Sequence, residues 1–114
     1  MRVTYPRCRE PLVITDETRS RAERYDRYRY PLQEEVVSCE LATHTPETAC
    51  AAYLLHEEDP HVQVWARWNP TGGPVHVEET TACPNEHDDA PCLLFHTHPG
   101  PCTWAITSPF DPPL

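Results

Sequence analysis

The sequence predicts an α+β fold, a small single domain with one main helix packed on a mainly antiparallel sheet of four to five strands. Three observations carry this. Residues 46–57 have helix signals at both ends, and residues 62–82 alternate apolar and polar side chains across a glycine-containing turn. Fourteen prolines in 114 residues leave no room for long helices. A chain of this length suits one domain with a modest core.

Taken in order, residues 1–15 read as an extended segment anchored by Val3, Tyr5, Leu12, Val13 and Ile14. Residues 16–27 read as a short helix, with Asp16 as N-cap and a thin apolar face of Ala22, Tyr25 and Tyr28. Residues 28–41 alternate enough for a strand, with Pro31 placing it at an edge or splitting it. In THTPETACAAYLLHEEDP, Thr45 fits an N-cap, Pro46 the first helical position and Asp59-Pro60 the stop. Cys50, Tyr53 and Leu54 recur at helical spacing, so the main helix is expected at 46–57. VQVWARW, NPTGGP and PVHVEETTA then read as strand, turn and strand. CLLFHTH and TWAIT are expected as two further strands, and SPFDPPL as an extended tail. No internal repeat is legible.

Charge divides the chain. Residues 1–30 hold eight arginines and five acids (+3), and residues 31–114 hold Arg67 and thirteen acids (−12). We therefore read 1–30 as a basic N-terminal segment, extended or weakly helical, that packs on an acidic α+β body at 31–114. The acidic body argues against general nucleic-acid binding, because like charge repels the phosphate backbone. There is no lysine, which fits the product of a GC-rich genome. No apolar stretch is long enough for a membrane span, and the N-terminus has no apolar core of a signal peptide, so a cytoplasmic protein is expected. In that compartment six cysteines read as thiols or metal ligands before disulfides.

The ligand types are densest near the C-terminus: Cys83, His87, Cys92, His96, His98 and Cys102 fall within twenty residues. On a strand, His96 and His98 project from one face. Zinc prefers cysteine sulfur and histidine nitrogen, so Zn2+ is the expected cofactor. Our first ligand set is Cys83, Cys92, His96 and either Cys102 or His98, with His87 as a substitute. The bland alternative is chance clustering in a chain with six cysteines and seven histidines. A second group, Cys39, His44, His56 and His61, reads more simply as buried small cysteines, with Cys50, and histidines solvated at a helix end.

The segment FHTHPGPCTWAITSPFD resembles the metal-binding segment of the JAMM family of zinc metalloproteases, where an apolar strand ends in His-x-His-Pro and a Ser-x-x-Asp follows. The resemblance covers about sixteen residues. It implies His96 and His98 as zinc ligands, Asp111 as the carboxylate ligand, Ser108 as the hydroxyl supporting an oxyanion and Glu47 as general base.

These observations support a small binding or adaptor protein with a structural zinc site, more readily than an enzyme. A diverged or truncated JAMM-like zinc hydrolase is the first alternative. An acidic decoy of a nucleic-acid-binding partner is the second. A protein partner is expected, and its identity and the oligomeric state are open.

Overall fold

The structure, a computed structural model, describes residues 5–25, 32–56 and 62–106. Its elements in chain order are β1 (Pro11–Val13), α1 (Asp16–Glu23), β2 (Val36–Ser38), β3 (Cys50–His56), β4 (Val62–Trp68), β5 (His76–Thr81), β6 (Glu86–His87) and β7 (Ala90–Pro91). A short 3-10 turn follows at Thr103–Ala105. The result is one helix with antiparallel sheets, in three separate pieces: β1-β2, β3-β4-β5 and β6-β7. Among the described residues the largest sheet has three strands, where the sequence leads one to expect a single sheet of four to five.

The central piece follows from its residues. β4 pairs with β3 on one side and β5 on the other, both antiparallel. The turn between β4 and β5 is built by Asn69, whose side-chain oxygen accepts from the Thr71 amide at 2.9 Å. Gly72 and Gly73 then take φ 125° and 99°, where a side chain is strained. β4 is covered on both faces: Val64, Trp65 and Ala66 have no exposed surface. Trp65 packs edge-on against Phe95 at 5.1 Å and Tyr53 at 6.0 Å between ring centroids. Trp65 and Phe95 are buried and Tyr53 is partly buried against them, so this aromatic cluster carries much apolar area in a small core.

The helix α1 is capped by Thr15, whose hydroxyl accepts from the Thr18 amide at 3.2 Å, rather than by Asp16. Asp16 and Glu17 lie in its first turn, where acids complement the positive helix end. It packs against β5. Its inner side is only Thr18 and Ala22, as its thin apolar face implies. Arg19 ties it to the chain ahead of β2 by donating to the Leu32 and Glu34 carbonyls.

The expected main helix at 46–57 is corrected: residues 46–47 are turn, and Cys50–His56 is the strand β3. Short apolar runs fit either period, and long-range pairing with β4 decides between them. A β-bulge between Tyr53 and Leu55 shifts the alternation, which is why the burial does not follow a two-residue period. The edge of β3 is occupied, since the Glu40 amide donates to the Ala51 carbonyl at 2.8 Å and the Tyr53 amide donates to the Glu40 carboxylate.

Two further strand expectations are corrected. Residues 92–98 form no strand; only Phe95 makes a bridge, to Ala82. Thr97 at φ 68° turns the chain there, so His96 and His98 do not share a strand face. Residues 103–105 are the 3-10 turn, and Ile106 then bridges Tyr5 in parallel. Of the expected strand at 28–41, residues 32–41 are described, and the strand within them is β2. No helix among the described residues is long and apolar enough to cross a membrane.

Candidate metal centres

Among the described residues, two sets of four ligand side chains gather in the fold. The first is Cys8, Cys39, His44 and Cys50, and the second is Cys83, Cys92, His98 and Cys102. Within each set the ligand atoms all lie within 4.8 Å of one another. All six cysteines are free thiols, with no disulfide between them.

The local geometry is the same in kind at both sites. In the first, His44 Nε2 lies 3.5 Å from Cys39 Sγ and 3.6 Å from Cys50 Sγ, and Cys8 Sγ lies 3.9 Å from Cys50 Sγ. In the second, His98 Nε2 lies 3.6 Å from both Cys92 Sγ and Cys102 Sγ. The other ring nitrogen faces a backbone carbonyl in each case: His44 Nδ1 is 3.0 Å from the Thr45 oxygen, and His98 Nδ1 is 3.3 Å from the Pro99 oxygen. A carbonyl only accepts, so Nδ1 carries the proton and the Nε2 lone pair points into the thiol cluster. That is the usual way a ligating histidine is oriented.

These spacings suit one small tetrahedral ion. Metal–sulfur bonds of about 2.3 Å and metal–nitrogen bonds of about 2.0–2.1 Å imply S···N edges of about 3.5 Å and S···S edges of about 3.8 Å. The His44 and His98 contacts at 3.5–3.6 Å and the Cys8–Cys50 contact at 3.9 Å sit at those edges, and the remaining ligand atoms lie within 4.8 Å of one another. Each set can therefore hold a metal ion through three sulfurs and one nitrogen.

The thiols carry the mark of their surroundings. Burial pushes the Cys39 thiol up, against the pull of the Ala51 and Leu41 amides. Cys50 is pushed up further, by burial first and by the neighbouring Cys39 next. Burial also raises Cys102, to about 11, while Asn85 donates to its sulfur at 3.7 Å. At Cys92 burial acts upward but is outweighed by the Thr103 hydroxyl and amide and the Leu94 amide, so its pKa falls. Buried thiols without a cation are costly to ionise, and a bound dication reverses this by deprotonating them outright.

The residues predicted from sequence divide clearly. Cys83, Cys92, His98 and Cys102 are brought together. His87 and His96 are not: both are exposed, and His87 stacks on Trp104 at 5.6 Å and lies 3.3 Å from Asp88. Glu47 is exposed on the turn between His44 and Cys50. Ser108 and Asp111 lie outside the described residues, as do His61 and the side chain of His56. The two histidines that the JAMM resemblance pairs are thus separated: His98 is gathered with three cysteines, and His96 is exposed and outside that set.

Sequence reasoning missed the first site. Cys39 and His44 were visible as neighbours, but Cys50 was assigned to a helix interior and Cys8 stands thirty-one positions before Cys39. Only the chain's return at β2 brings them together: the Cys8 amide donates to the Leu41 carbonyl at 2.8 Å, and Cys39 donates to the Glu10 carbonyl at 2.8 Å. Arg7 lies beside this site, 3.5 Å from Glu40. The two sites also flank the central sheet. Cys50 is the first residue of β3, and Cys83 follows β5 by two residues.

No family model, curated protein or solved structure significantly matches the chain.

Proposed function

We propose that this protein is a small zinc-stapled scaffold that acts by binding a protein partner rather than by catalysis. One zinc ion occupies each Cys3His set. The observation that carries the reading is the S···N spacing of 3.5–3.6 Å at both sites, which matches the edge of a zinc tetrahedron. The donor types favour zinc among available divalent ions.

Three sulfurs and a nitrogen complete a tetrahedron. Such a site has no position left for water or substrate, so the metal acts structurally. The energetic need is plain. A domain of this size buries a limited core, and its sheet is in three pieces. Metal binding supplies folding free energy directly, since the sites do not exist in the unfolded chain. The ions hold the two ends of the β3-β4-β5 meander.

X-ray absorption at the zinc edge tests this. The expected average shell is three sulfurs and one nitrogen per zinc at the distances above. A shell dominated by oxygen, or zinc removed by brief dialysis with no loss of structure, would rule out the staple.

A further inference from the structure

We infer that the chain is an internal duplication: two copies of one metal-binding module, each closing round its own ion in the same way. The inference rests on the metal reading above and goes past it, because it assigns the two sites to a common build. It also explains a chain in which no repeat is legible by eye.

The equivalence is one of register. Take the first and second cysteines of each set as reference points, Cys8 with Cys39 and Cys83 with Cys92. The first cysteine's amide donates to the carbonyl two residues past the second: Cys8 to Leu41 at 2.8 Å, Cys83 to Leu94 at 2.9 Å. The second cysteine's amide donates to the carbonyl two residues past the first: Cys39 to Glu10 at 2.8 Å, Cys92 to Asn85 at 2.9 Å. The fourth residue past the second cysteine donates to the residue two before the first: Thr43 to Pro6 at 2.8 Å, His96 to Thr81 at 2.7 Å. The antiparallel bridges correspond too, Arg7 with Ala42 and Ala82 with Phe95.

The match continues beyond the ligands. Pro11 pairs with Ser38 and Leu12 with Val37 in one copy, Glu86 with Pro91 and His87 with Ala90 in the other. These are the same offsets from the cysteines. Leu41 and Leu94 occupy the same place, and both are buried. The residue after the fourth ligand does the same work in each copy. Ala51 receives the Glu40 amide on its carbonyl, and Thr103 receives the Leu93 amide on its hydroxyl, both at 2.8 Å. The Thr103 amide also donates to the second cysteine's sulfur, Cys92 Sγ, at 3.5 Å. Two unrelated sites could share a donor set, but nothing in zinc chemistry fixes the hydrogen-bond register around it.

The differences are local. Thr97 is one extra residue between Cys92 and His98, taken up in the left-handed region at φ 68°. The fourth ligand comes six positions after His44 and four after His98. Arg9 has φ 62° where the second copy has Pro84, whose ring fixes φ near −65°. The large difference is at the hairpin tip. The second copy turns through Asp88-Asp89, at φ 50° and 65°, whereas the first carries residues 14–35, including α1, at that point. The helix is thus an insertion in a module that does not need it to form its metal site.

Cobalt(II) is the probe, because its visible spectrum reports donor type and geometry. The metal-free full chain should take up two equivalents. Cys39→Ala and Cys92→Ala should each take up one, with like tetrahedral bands, and their two spectra should add to that of the parent. His44→Cys and His98→Cys keep four ligands and so guard against loss of folding in the alanine variants. Each should still bind two equivalents and shift half of the absorption by the same amount. Absence of any cobalt uptake would overturn the metal reading itself. Uptake at two sites with unlike spectra, or loss of both ions on a single substitution, would leave the metal reading standing and overturn the duplication.

Discussion

Cys8 and Cys50 are forty-two residues apart in sequence, yet their sulfurs lie 3.9 Å apart. That contact joins the N-terminal segment to the first residue of the central sheet. It makes the segment part of the fold through a side-chain cluster rather than through charge alone. The corresponding joint at the other end of the sheet is Cys83, which follows β5 and meets Cys92, His98 and Cys102.

Cys8→Ala is therefore expected to destabilise the whole domain, although it changes a residue near the chain end. Loss of a metal ligand belongs with the largest single-residue effects, more than about 4 kcal/mol. Cys102→Ala should do the same from the other site. Thermal melting with and without excess zinc measures this, and melting temperatures equal to the parent's would count against both sites.

The histidines should separate sharply. His98→Ala is expected to lose one bound ion, while His96→Ala should keep both and change stability by no more than about 0.5 kcal/mol, as an exposed residue. Zinc content per chain, measured on the two purified variants, decides this. Zinc lost from the His96 variant and kept in the His98 variant would mean the ligand assignment is reversed.

Leu41 and Leu94 should behave as a matched pair. Each is buried, and each accepts from the first cysteine of its set through its carbonyl. Truncation to alanine is expected to cost about 2–5 kcal/mol at either position, the range for a buried leucine. Chemical denaturation of the two variants in the zinc-loaded state would show it. A neutral effect at one position only would break the equivalence of the copies.

The Asp88-Asp89 turn offers a stabilising change. Both residues have positive φ, as a two-residue hairpin turn of this hand requires, and glycine is favoured at the second position. Asp89→Gly is expected to raise stability by about 0.5–1 kcal/mol, by removing the side-chain strain of the left-handed region. A lower melting temperature would show that Asp89 contributes something other than the turn.

How much of this was legible in the sequence depends on how local each signal is. The β4–β5 hairpin was legible, because NPTGGP and the flanking alternation are local. So was the short α1, from its acidic first turn, although its cap is Thr15 rather than Asp16 and the helix stops at Glu23. The strand β3 was not: CAAYLLH suits both periods, and Thr45-Pro46 imitates a helix start. Tertiary pairing with β4 outweighed that local preference. Part of the second set could be read from density alone, but which histidine joins the cluster could not. Thr97 decides it by turning the backbone between His96 and His98. The first set was out of reach, since its four residues converge only through backbone contacts between distant segments. The repeat escaped notice because the copies share little beyond the ligands and Leu41 with Leu94, and because residues 14–35 interrupt the first copy.

On the reading proposed above, each chain carries two zinc ions in Cys3His sites. Native mass spectrometry of protein purified without chelator, paired with a thiol count after denaturation, tests it most directly. The expected result is a mass increment of two zinc ions per chain, lost on denaturation, with all six cysteines then free to react. A chain that carries no metal and has six free thiols, or one with its cysteines paired in disulfides, would contradict it.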